Sequence, residues 1–91
     1  MAETQTRNVE QLAEMRVFVR AIERGTFAVA ASDLGLTPSA VSKVVRRLEQ
    51  RLGVQLIERT TRKLVLTTEG ETYFHSGRRL IEAVDGLYRK K

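Results

Sequence analysis

Two amphipathic stretches joined by the turn Gly35-Leu36-Thr37, two β-prone runs around a Thr-Thr-Arg turn, and a long apolar stripe after Thr67 predict a mainly α domain. The expected parts are a three-helix core, a short two-stranded wing and a long C-terminal helix, which together make a winged helix-turn-helix. The predicted boundaries are 1–8 for a flexible N-terminus, 9–66 for the winged body and 67–91 for the last helix. A chain of 91 residues forms one small domain with a modest core.

Residues 4–8 are polar and read as a frayed lead-in. Asn8 with Gln11 fits a capping box, which starts the first helix near Val9. Leu12, Met15, Phe18, Val19 and Ile22 then recur at helical spacing and make a core-facing stripe. Arg16, Arg20 and Arg24 fall outside it, either solvated or, near the helix end, within reach of a phosphate. Gly25 stops this helix. Thr26 can cap a short alanine-rich segment in which Phe27, Ala30, Ala31 and Leu34 supply the apolar contacts. Small side chains there let two helices pack closely.

The stretch 37–52 organises the rest. Thr37 can cap orphan amides, Pro38 suits the first helical position, and Gly53 offers the left-handed residue that ends many helices. At about 100° per residue, Val41, Val44, Val45, Leu48 and Leu52 share one face. Ser39, Ser42, Lys43, Arg46 and Gln50 share the other, with Arg47 at its edge. Short hydroxyls can approach base edges, and cations can reach phosphates on either side. An ordinary surface helix shows the same two faces. What favours DNA is the short turn before this one and the charge around it.

The net charge is +5, and it is concentrated. Residues 43–63 carry Lys43, Arg46, Arg47, Arg51, Arg59, Arg62 and Lys63 against Glu49 and Glu58, and the rest of the chain is balanced. That is the footprint expected on a polyanion. An anionic membrane is a poorer fit, because the segment lacks the bulky apolar face and aromatics of an interfacial helix. Ile57-Glu58-Arg59 and Lys63-Leu64-Val65-Leu66 read as two short strands turning at Thr60-Thr61-Arg62.

The last helix opens at Thr67 or Thr68; Thr68 with Glu71 fits a capping box. Tyr73, Gly77, Leu80, Val84 and Leu87 step by four and three, widened by Phe74, Ile81 and Tyr88, as a helix–helix seam requires. Part of the stripe completes the domain core, and a second copy could cover the remainder.

Other functions fit less well. His75 is the only histidine and has no triad partners at telling spacing. No phosphate-binding glycine loop, cysteine or metal-ligand cluster is present, so neither an enzyme nor a cofactor nor a metal is expected. A helical protein-interaction module built on the last helix is the runner-up, but it leaves the basic segment unexplained. An RNA-binding domain is a further alternative, against which the few aromatics stand apart from the basic segment. No apolar run approaches a membrane span and no signal peptide opens the chain, so a cytoplasmic location is expected.

Residues 12–71 also resemble the N-terminal domain of LysR-type transcriptional regulators. The resemblance is carried by Phe18, Gly25-Thr26-Phe27, Ala30-Ala31, Leu34, Val41-Ser42, Leu48-Glu49, Leu52-Gly53, Leu56, Arg59-Thr60-Thr61-Arg62, Leu66-Thr67 and Gly70, in that order. It implies double-stranded DNA binding at a promoter operator, as a homodimer on an interrupted palindrome, with the C-terminal helix as linker and dimerisation element. On this resemblance Pro38, Ser39, Ser42 and Lys43 match positions near base edges. Thr26, Thr37, Arg46, Thr60 and Thr61 match backbone contacts, with Arg47 a further cation beside them, and Arg59 and Arg62 match the wing, where arginine can enter a minor groove. Tyr73, Gly77, Leu80, Ile81, Val84 and Leu87 are the expected dimerisation residues. An effector-binding domain would follow the linker; it is absent from this chain, so no small-molecule effector is expected within it. The sequence departs from the family where Pro38-Ser39 replaces a common glutamine-proline pair. That removes an amide able to read adenine bidentately.

Overall fold

The computed structural model describes residues 2–58 and 63–89. Its elements are α1 (Ala2–Arg24), α2 (Phe27–Leu34), α3 (Pro38–Leu52), β1 (Ile57–Glu58), β2 (Val65–Leu66) and α4 (Thr68–Tyr88). Helix α1 begins at Ala2, well before the expected start at Val9. Nothing in residues 2–8 breaks a helix, since neither glycine nor proline occurs there, and Asn8 lies within α1 rather than capping it.

The other helix ends follow their side chains. Thr26 Oγ1 accepts from Val29 N at 3.1 Å and Thr37 Oγ1 accepts from Ala40 N at 3.1 Å. Gly35 (φ 70°) and Gly53 (φ 74°) take the left-handed conformation that closes α2 and α3. Leu36 N returns to Ala31 O at 2.8 Å, so the turn into α3 is a tight helical stop. Of the two candidate caps for α4, Thr67 fills the role. Its hydroxyl accepts from Gly70 N at 2.9 Å and donates to the Gln55 carbonyl at 2.6 Å.

Phe18, Val19, Val45, Leu48, Leu56, Ile57 and Phe74 form the main core cluster, and Ala21, Ala30, Ala31 and Val41 form a second. The alanines bring α2 close to α1 and α3, as their size predicts. Leu52, expected on the core face of α3, is instead 42% exposed. It is the last residue of that helix, and lines a shallow apolar groove with Val54, Leu56 and Tyr73. β1 and β2 pair antiparallel, Ile57 with Leu66 and Glu58 with Val65, and Lys63 and Leu64, expected in the second strand, precede it. Ile57 points into the core, and Glu58 outward.

Candidate nucleic-acid interface

The polar side of α3 is open. Pro38, Ser39, Lys43, Arg46 and Gln50 are exposed and Ser42 is half-buried, while Val41, Val45 and Leu48 are sealed beneath them. The apolar half fixes the helix, and the first turn and its hydroxyls face outward. Thr26 and Thr37 are exposed at the starts of α2 and α3. Each hydroxyl is already used as a cap, and its oxygen keeps capacity for a further hydrogen bond.

Arg47 stands apart from this face. Its Nη1 lies 3.9 Å from Glu14 Oε2, and Arg51 contacts the other oxygen, Oε1. Glu14, on α1, is 8% exposed. Arg47, expected among the phosphate-reaching cations, makes this contact on the α1 flank with its side chain 64% exposed. Three α1 arginines are also engaged: Arg16 with Asp85 at 2.7 Å, Arg20 with Glu23 at 3.8 Å and Arg24 with Asp33 at 3.0 Å. Arg59, Thr60, Thr61 and Arg62 lie outside the described residues.

Glu49, named above for its charge and its match to the family but given no role, joins α3 to the wing. Glu49 Oε2 accepts from Leu56 N at 2.8 Å and Ile57 N at 3.2 Å, so a carboxylate on α3 holds the root of the wing. A signal existed, because Glu49 is the one acid in an otherwise basic helix.

The stripe on α4 divides. Tyr73 packs edge-on to Phe18, with ring centroids 5.5 Å apart, and burial pushes its phenol pKa up against the pull of Arg51. Gly77 is buried, and a Cβ there would stand 3.0 Å from Met15 Cγ and 3.4 Å from Val19 Cγ2. Ile81 packs on the main cluster. Leu80 is 48% and Leu87 72% exposed, and Val84 is half-buried. Tyr73, Gly77 and Ile81 are therefore engaged within the domain, and Leu80, Leu87 and Tyr88 are the large side chains of the stripe left exposed. Among the described residues no three His, Asp or Glu side chains gather as a metal site. No helix there is long and apolar enough to cross a membrane.

Residues 12–71 match the family model described as bacterial regulatory helix-turn-helix protein, lysR family. The chain is similar to the HTH-type transcriptional regulator CrgA of Neisseria meningitidis, 49% identical over 69 residues, covering 76% of this chain and 23% of that protein. It is also similar to a probable hydrogen peroxide-inducible genes activator of Mycobacterium leprae, 45% identical over 76 residues, covering 84% and 24%. Among solved structures it resembles the BenM DNA-binding domain in complex with catB site 1 DNA, at a TM-score of 0.81 and 32% identity, covering 85% of this chain and 83% of that one. The chain spans about a quarter of the length of the curated relatives it matches. Matched over most of its length, with the capped turn between α2 and α3 and the paired wing in place, the chain belongs to the LysR family of bacterial helix-turn-helix regulators.

Proposed function

We propose that this chain binds double-stranded DNA sequence-specifically, with α3 in the major groove and the wing, 57–66, on the backbone and minor groove. Pro38, Ser39, Ser42 and Lys43 meet base edges. Arg46 and the capping hydroxyls of Thr26 and Thr37 meet phosphates, joined by Arg59, Thr60, Thr61 and Arg62 of the wing tip. The observation that carries this is the open polar face of α3 over a sealed apolar one, with short side chains where the helix must come closest. The likeness to a DNA-bound BenM domain supports it. A homodimer closed over Leu80, Val84 and Leu87 places two copies of α3 on an interrupted palindrome, about one DNA turn or a multiple apart. The role is regulatory and non-enzymatic, and its setting is the bacterial cytoplasm.

The test is a binding titration across salt, using a duplex enriched by the protein from a randomised pool, a scrambled duplex and a hairpin RNA. The enriched duplex should bind tightest at every salt concentration, and all affinities should fall as salt rises. Equal binding to scrambled duplex removes base reading. Preference for the hairpin makes this an RNA-binding domain. Binding to none, by a protein that still self-associates, leaves the exposed Leu80 and Leu87 as a protein-interaction surface.

A further inference from the structure

Helix α4 is about 30 Å long at 1.5 Å per residue, and only its first part is seated in the domain. Phe74 and Gly77 are buried, whereas Leu87 and Tyr88 stand in solvent. Beyond Ile81 a two-pronged polar contact ties the helix back to α1. Arg16 Nη2 donates to Asp85 Oδ1 at 2.7 Å, and its Nη1 donates to Oδ2 at 3.4 Å. Both side chains are a little over one third exposed, so the pair sits at the rim rather than in the core.

The two contacts differ in kind. Gly77 lies in a close approach to Met15 and Val19, where α4 is seated in the body. Asp85 lies about 12 Å further along the helix, where a small rotation becomes a displacement. A turn of about 10° moves the helix end by about 3 Å, close to the roughly 3.4 Å rise of one base pair.

We propose that Arg16 and Asp85 are a positioning pair, which fixes the angle between α4 and the DNA-reading body and so sets the half-site spacing that a homodimer accepts. The proposal rests on the dimeric assembly inferred above. Neither residue touches DNA in this account. Bidentate geometry suits the task, since an arginine fork on a carboxylate constrains direction as well as distance.

The experiment measures binding of the 91-residue chain to duplexes carrying two copies of an enriched half-site, with the spacer varied one base pair at a time. An exposed ion pair biases an angle rather than locking it, so Arg16→Ala or Asp85→Asn should lower discrimination between the best spacer and its neighbours by about threefold. Binding to a single half-site should stay unchanged, and circular dichroism should report an intact fold. The exchange Arg16→Asp with Asp85→Arg should restore the parent profile. A spacer profile as sharp in Arg16→Ala as in the parent overturns the proposal, as does an exchange no sharper than the single variants. A parent that binds every spacer equally overturns the dimeric assembly, and the proposal falls with it.

Discussion

Gly70, in the first turn of α4, stands so close to the Leu56 carbonyl that a Cβ on the glycine would lie 2.0 Å from the oxygen. The obstacle is backbone, which cannot swing aside as a side chain can. An alanine in a helix interior is ordinarily favoured over glycine by up to about 1 kcal/mol. At this position the sign should reverse. Gly70→Ala is expected to cost about 1–3 kcal/mol through overpacking. Gly86, where nothing lies within 4 Å of a built Cβ, is the control. Gly86→Ala should raise stability by about 0.5–1 kcal/mol. Thermal unfolding of both variants, followed by circular dichroism, checks the opposite signs.

Glu49 supports a second expectation. Truncating its carboxylate strands the amides of Leu56 and Ile57, both of which are buried residues. Glu49→Ala should destabilise the domain by about 1–3 kcal/mol. Glu49→Gln keeps an acceptor without the charge and should lose less. Urea unfolding of the three proteins measures the order. A Glu49→Ala variant as stable as the parent would show that the wing root holds without it.

The cations of α3 should divide by face. Arg46 is exposed on the polar side, whereas Arg47 leans to Glu14. Arg46→Ala should weaken binding to specific and random duplexes alike, and flatten the logarithmic salt dependence by about one unit. Arg47→Ala should leave that slope unchanged. A slope that falls equally in both would return Arg47 to the phosphate-contacting set.

Acid should loosen α4 from α1. Hydrogen bonding to Arg16 holds the Asp85 carboxyl below its ordinary range, with further help from the charges of Arg16 and Arg89. Its contribution is therefore full above the unfolded carboxylate value, about 3.9, and fades as pH falls below it. Arg16 is itself pushed upward by Asp85 and stays charged throughout. The stability gap between the parent and Asp85→Asn, small for so exposed a pair, should be present at neutral pH and close as pH drops through the acid range. A gap that widens on acidification would contradict this. Chemical unfolding at a series of pH values measures it.

Leu80 and Leu87 should govern association without governing the fold. Leu80→Asp is expected to lower the dimer population and leave the helical signal intact, because the side chain is 48% exposed in the single domain. Leu48→Ala removes a side chain of zero exposure and should cost about 2–5 kcal/mol of stability instead. Sedimentation velocity with circular dichroism separates the two. A folded Leu80→Asp protein that still sediments as a dimer would place the seam elsewhere.

Much of this architecture is local, and local features are legible in a sequence. Thr37, Pro38 and Gly53 bracket α3 at the residues found, because a cap, a pre-set φ and a left-handed stop each act within a turn of the chain. What the sequence concealed depends on distant partners. Periodicity set Leu52 on the core face, but at the helix end its neighbours cover it only in part. The contact of Arg47 with Glu14, thirty-three residues earlier, exists only once α1 and α3 pack together. The α4 stripe reads as one seam, yet α1 occupies it at Tyr73, Gly77 and Ile81 and leaves Leu80 and Leu87 outside. The polar face of α3 was the most legible part of the candidate site, since it is the complement of the face that packs.

The carboxylate of Glu49 has one more consequence. By fastening the root of β1 to α3, it sets where the wing leaves the helix before any duplex arrives. A root held in this way acts as a gauge against which the nucleic acid must fit. On the DNA-binding reading proposed above, sequences whose groove widths already suit that gauge are held at least cost, and stiff or ill-shaped ones are penalised at base pairs no side chain touches. Operator choice would then depend on the mechanics of the duplex as much as on its letters.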